Sequence, residues 1–369
     1  MPALMGGVLT VLAAATAVGQ LLKRQPDSGL NSAAVQTFNS RMRAYWLMCS
    51  LLAASILLGT TTTVVLFGLI AFWALREFIT LTPTRPGDHR ALFWIFFLFT
   101  PAQFVMVAWQ LYDVYSVLIP VYAFLFVLAR VAFSGDYKRF LERTAKIQAG
   151  CLICVYCLSH APALMYLKPN IVATTSNKAT TPSPETSTAS KPPVAANAQQ
   201  APDDETSKAT DSSPPTARIP ETTALAPAKI SVNDPHLGAR LLFYFVLIVQ
   251  LADAMQYLSG KLFGRHVIAP SISPNKTWEG LLGAVGATTL VGTALYWATP
   301  FQIWQAAIMS FVIALMGFAG SITMSAIKRD RGVKDYGTLV EGHSGVLDRI
   351  DSICFAAPVC FHLSRWFLS

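Results

Sequence analysis

Stretches of about 20 mostly apolar residues recur along this chain, and each is long enough to cross the hydrocarbon core of a bilayer as a helix. They cover Ala3 to Leu22, Leu47 to Leu75, Ala91 to Trp109, Val114 to Phe133, Ile147 to Leu167, Leu241 to Leu258, Leu281 to Ala298, Ile303 to Met324 and Ile353 to Leu368. Within a membrane only helices and closed barrels satisfy every backbone polar group, and uninterrupted runs of this length select the helix. The expected fold class is therefore all-α, a polytopic transmembrane helical protein. Its charged fraction of 13%, against about a quarter in soluble domains, agrees.

Leu47 to Leu75 is too long for one span and reads either as one tilted helix or as two short ones meeting near Gly59 and Thr60 to Thr63. Charge decides between them. With two spans, the loops Lys23 to Tyr45, Arg76 to Arg90, Gly135 to Lys146, Ser259 to Trp278 and Ala326 to Asp351 share one side and hold 19 of the 28 Lys and Arg. Basic residues favour the cytoplasmic side, so about ten spans are expected, with both termini facing away. The first span has small residues resembling a cleavage site, but its basic pair, Lys23-Arg24, follows it, so an uncleaved span is expected.

The net charge of +8 sits in these short loops and sets topology, which argues against a nucleic-acid partner. Cys151, Cys154 and Cys157 lie within an apolar run and read as packing residues rather than metal ligands. Residues 168–236 contain 11 of the 22 prolines and no Phe, Trp or Tyr. Such a segment cannot bury enough apolar surface to offset its chain entropy and is expected to be a disordered extracytoplasmic insertion. It separates the N-terminal spans, 1–167, from a region, 237–369, in which the remaining polar motifs lie.

The densest of these motifs is Ser325 to Ser352. Lys328, Arg329, Arg331 and Lys334 stand there with Asp330, Asp335, Glu341, Asp348, Asp351 and a glycine-flanked His343. The positive-inside rule accounts for the bases but not for five carboxylates. Carboxylates hold hard divalent cations, while Lys and Arg hold phosphate, so the pattern points to metal-assisted chemistry on a phosphate. Asp348 and Asp351 share one face of a helix at the membrane mouth. Upstream, Asp253 is a carboxylate near the end of an apolar helix, a functional candidate by its cost, and Tyr257 is one turn on. Then follow Lys261, Arg265, Ser273, Lys276 and Glu279. Ser273-Pro274 suits the start of a helix, whose free N–H groups beside Lys261, Arg265 and Lys276 would cradle a phosphate.

Two blocks, Ser325 to Asp351 and Asp253 with Tyr257 through Gly260 to Gly280, resemble the signatures of phosphatidate cytidylyltransferases, also called CDP-diacylglycerol synthases. The resemblance covers roughly Arg240 to Ser369. It implies a reaction of CTP with phosphatidate to give CDP-diacylglycerol and pyrophosphate, with Mg²⁺ as cofactor, in a bacterial inner membrane, with the site facing the cytoplasm and a homodimer as the implied assembly. Carried over, Asp348, Lys328, Arg329, Lys334, Asp335 and His343 would be catalytic. Lys261, Arg265, Ser273, Lys276, Glu279, Arg349 and Tyr257 would bind substrate, and Asp348, Asp351, Asp253 and Glu341 would hold metal.

The chain departs from the family's pattern twice. Gly320-Ser321 stands where the family has Gly-Asp, and Glu341-Gly342-His343-Ser344-Gly345 where it has Pro-Gly-His-Gly-Gly. Glu341 is the candidate replacement carboxylate. The alternatives are a cytidylyltransferase for another lipid phosphate, a CTP-dependent lipid kinase, a non-catalytic scaffold and a transporter. Polar residues gathered in two loops on one face disfavour transport.

Overall fold

A computed structural model describes residues 46, 49–81, 84–168, 236–333 and 345–369. The first apolar run, the insertion between its two ends, and Lys334, Asp335, Glu341 and His343 lie outside the described residues. The elements in order are α1 (Cys49–Leu58), α2 (Thr60–Thr80), α3 (Pro86–Ala108), α4 (Tyr112–Ala132), α5 (Phe140–Tyr166) and α6 (Leu237–Phe263). They continue with β1 (Val267–Ala269), β2 (Ser273–Thr277), α7 (Trp278–Ala294), α8 (Ile303–Asp330) and α9 (Leu347–Leu368).

Every described apolar run is helical. Six helices, α2 to α6 and α8, are long and apolar enough to cross a membrane, which makes the chain an integral membrane protein. The described residues thus supply six such spans against the ten expected. Helix α7 has only 17 residues, and the first turn and a half of α9 carries Asp348, Arg349 and Asp351. The long run from Leu47 breaks at Gly59, whose φ of 116° is open to glycine and strained for other residues. Helices α3, α4 and α5 each contain a widened turn, at Ile95–Phe99, Leu118–Ala123 and Cys151–Cys157. In the first of these the Ile95 carbonyl accepts both the Thr100 N–H and, at 2.9 Å, the Thr100 hydroxyl, just before Pro101.

The loops at one end of α3 and α5 are joined by charge. Arg143 is buried and pairs with buried Asp88, and Arg143 and Arg85 both reach Asp136. An arginine at that depth is tolerated because its donors are filled, two of them by the Asp136 and Lys138 carbonyls. In the C-terminal region α6 packs on α7 and α8, and α8 on α9, while α9 also packs against α2 and α5. The last helix therefore joins both regions, as does α6, which packs against the end of α5.

Ser273 and Pro274 do not start a helix; they open β2, which pairs antiparallel with β1 in the register Val267 to Thr277 and Ala269 to Ser273. This two-stranded ribbon is the exception to an all-α fold among the described residues. Proline is tolerated because an edge strand needs no donor at that position. The helix begins four residues later, where Thr277 Oγ1 accepts from the Gly280 N–H at 3.1 Å.

Candidate functional site

The site is assembled where the ends of α6 and α8, the start of α9 and the ribbon meet. The last turn of α8 presents Lys328, and its Nζ donates to Asp348 Oδ1 in the first turn of α9 at 2.7 Å. Asp348 Oδ2 accepts from the Gly345 N–H at 3.3 Å, so both carboxylate oxygens are engaged. Four residues on, Ser352 links two further carboxylates. Its hydroxyl donates to Asp253 Oδ1 at 2.9 Å and lies 3.4 Å from Asp351 Oδ1, which also accepts the Ser352 N–H at 2.7 Å. Asp253 on α6 and Asp351 on α9, distant in sequence, are thus neighbours.

Lys276 completes the group from β2. Its Nζ is buried and has no hydrogen-bond partner among the described residues; its nearest aromatic contact is the Phe318 ring, 5.3 Å to the centroid. Burial pushes its pKa down to about 8, against the opposing pull of Asp351 and Asp253. A buried ammonium without an acceptor is costly, and the protein places it among carboxylates and beside Lys328. In this cluster of two cations and three carboxylates, Lys328 is paired with Asp348, and the Lys276 ammonium is the charge that no hydrogen bond among the described residues takes up.

The other expected residues divide. Lys261 and Arg265 are exposed after the core of α6, with Lys261 Nζ 5.9 Å from the Tyr257 ring centroid. Arg329 is exposed and donates to the Ile272 carbonyl at 3.2 Å, tying α8 to the ribbon turn. Glu279 is engaged by the protein itself: it accepts from the N–H groups of Arg265 and His266 at 3.1 and 3.2 Å and meets His266 Nδ1 at 2.6 Å. Half-buried Ser273 opens β2, and Arg349 is exposed on α9. Lys334, Asp335, Glu341 and His343, between α8 and α9 in sequence, lie outside the described residues.

Two residues were missed by reading the sequence. Ser352 bridges the carboxylates, and only its place beside Asp351 marked it. Glu77, in α2, accepts from the Val346 and Leu347 N–H groups at 3.0 and 2.9 Å and so holds the start of α9. Its signal was a carboxylate beside a long apolar run.

Among the described residues no three His, Cys, Asp or Glu side chains are grouped to hold a metal ion. Asp253 and Asp351 are nonetheless adjacent hard-oxygen donors sharing a hydroxyl with one proton, a donor set suited to Mg²⁺.

Comparison with known proteins agrees with this geometry. The profile of the Cytidylyltransferase family matches residues 39–367. The uncharacterized protein YnbB of Escherichia coli (strain K12) is 30% identical over 330 residues, 88% of this chain and 87% of that protein. Phosphatidate cytidylyltransferases of Mycobacterium leprae (strain TN) and Staphylococcus aureus (strain COL) are 40% and 39% identical, over 34% and 33% of this chain. These matches span 41% and 48% of the two enzymes' own lengths, so the chain matches less than half of each. The match across nearly the whole chain is decisive: the protein belongs to the cytidylyltransferase family, and so to the nucleotidyltransferases.

Proposed function

We propose that this protein transfers the cytidylyl group of CTP to phosphatidate, giving CDP-diacylglycerol and pyrophosphate, at a site facing the cytoplasm of a bacterial inner membrane. The observation that carries the reading is the buried, unpartnered Lys276 ammonium set beside Lys328 and the carboxylates of Asp253, Asp348 and Asp351. The reaction joins two polyanions, and repulsion between them is its main obstacle. A phosphate monoester, with a second pKa of about 6, is largely ionised at neutral pH and needs no strong base. Its oxygen forms a bond to the α-phosphorus of CTP, and the bond to the β-phosphate breaks with its electron pair leaving on pyrophosphate. Lys276 and Lys328 would neutralise the phosphates during this exchange. Lys261 and Arg265, at the exposed rim, would draw the nucleotide in.

Asp253 and Asp351, with Glu341, would hold Mg²⁺, which supplies charge neutralisation at the phosphoryl group when bound. Asp348 acts differently in this reading: it orients Lys328 while its other oxygen holds the Gly345 amide. Glu279 fixes the turn that carries Arg265, and so would shape the binding surface without touching substrate.

The test is formation of pyrophosphate and CDP-lipid by the purified protein with CTP, Mg²⁺ and phosphatidate, beside Lys276→Ala. Both products, lost in the variant, support the reading. Release of CDP with a phosphorylated lipid instead would identify a CTP-dependent lipid kinase.

A further inference from the structure

Helix α9 starts without a cap of its own. Its N-cap position is Val346, whose side chain has no acceptor, yet the N–H groups of a helix's first turn must find partners when shielded from water. Glu77 supplies them from another part of the chain. Its side chain is buried, with one oxygen on the Val346 N–H and the other on the Leu347 N–H, across 269 and 270 residues of sequence. A carboxylate at a helix N-terminus gains from the dipole as well as from the two bonds. The next residue is Asp348, the partner of Lys328, and one turn further stand Asp351 and Ser352. The rotation and height of this first turn therefore depend on where Glu77 sits.

We infer that Glu77 is a positioning residue for the reaction: it sets the start of α9 and thereby the placement of Asp348 and Asp351 against α8 and α6. The inference rests on the function proposed above. Lys276, Lys261 and Arg265 come from β2 and the end of α6, and none of them is bonded to Glu77. Nucleotide binding is thus separable from the alignment that Glu77 provides.

The experiment compares wild type with Glu77→Gln and Glu77→Ala in detergent by hydrogen–deuterium exchange and by kinetics. Glutamine keeps one acceptor but turns an NH₂ group toward the second amide, so it disturbs the contact with little change of volume. Exchange should rise at residues 346–349 and stay unchanged in α6 and α8. Turnover should fall about tenfold or more while KM for CTP moves less than about threefold, the split expected when alignment rather than binding is lost. Unchanged exchange at 346–349, or unchanged turnover, overturns the inference. A general rise in exchange with KM and turnover changing together overturns it too, reducing Glu77 to a fold-stabilising group. A wild type that makes no CDP-lipid fails the functional reading instead, and the exchange arm still decides whether Glu77 sets the start of α9.

Discussion

Lys328 Nζ lies 2.7 Å from Asp348 Oδ1, joining the last turn of α8 to the first turn of α9. The two side chains are 14% and 9% exposed. In such a shielded pair each charge makes the other tolerable, and removing one leaves the other desolvated. Lys328→Met and Asp348→Asn should each lower cytidylyl transfer by about a hundredfold, the scale of losing one donor to a developing charge. The double variant should lose little more than either alone. A double-mutant cycle on melting temperature should return a coupling of about 1–3 kcal/mol; additive losses would show that the pair does not act as a unit.

The second prediction concerns pH. Lys276 titrates near 8 in the folded protein, because burial disfavours its charge, against 10.5 ordinarily. Only below about 8 does the fold keep the ammonium that an anion needs. The kcat/KM for CTP should therefore fall as pH rises through about 8, and Lys276→Arg, which stays charged, should remove that limb even if it turns over slowly. Stability should move the other way. Between about 8 and 10.5 the unfolded chain binds the extra proton, so the folded protein gains stability with rising pH, and that gain should be absent from Lys276→Met. A kcat/KM limb unchanged in the arginine variant would assign the titration to another group.

Much of this arrangement was legible in the residues, and the parts that were not have physical reasons. Apolar length marks a membrane helix because the bilayer imposes it, so α2 to α6 and α8 follow from the sequence. Asp253 stood out because a carboxylate near the end of an apolar helix is expensive, Lys328, Asp348 and Asp351 by the density of mixed charge between two apolar runs, and Lys276 as a base beside other phosphate-binding residues. The ribbon did not, since Ser273-Pro274 is a good helix start and only pairing with Val267 to Ala269 makes it a strand. Glu77 was counted with a loop because its partners are backbone amides about 270 residues away. No local pattern encodes such a contact. That the carboxylates of Asp253 and Asp351 converge on Ser352 likewise depends on α6 packing against α9.

A third prediction follows from Glu279, whose carboxylate holds the backbone of Arg265 and His266. Glu279→Ala should release the turn before β1 while leaving the helices intact. Trypsin, which cuts after Arg265, should cleave there on the order of tenfold faster in the variant, as local opening no longer breaks these bonds. Transfer should weaken mainly through a higher KM for CTP. A direct substrate contact predicts a different result: loss of transfer with proteolysis at Arg265 unchanged.

The close approach of α8 to α9 sets the final prediction. At Gly320 a β-carbon would stand 2.7 Å from the Asp351 carbonyl oxygen and 2.8 Å from Phe355 Cβ. Neither can retreat, since one is helix backbone and the other the root of a side chain. Gly320→Ala must therefore push α9 away from α8 at the level of Asp351, at a cost of about 1–3 kcal/mol for overpacking. Gly286, in α7, provides the contrast: nothing lies within 4 Å of its β-carbon position, and the helix alone decides. Alanine there should stabilise by about 0.5–1 kcal/mol. The pair is read by melting temperature and turnover in the same detergent. Gly320→Ala should lose both, and Gly286→Ala should gain stability with turnover intact. A Gly320→Ala variant as stable and active as wild type would show that α8 and α9 do not meet this closely, and with that the placement of Asp351 beside Asp253 would fail.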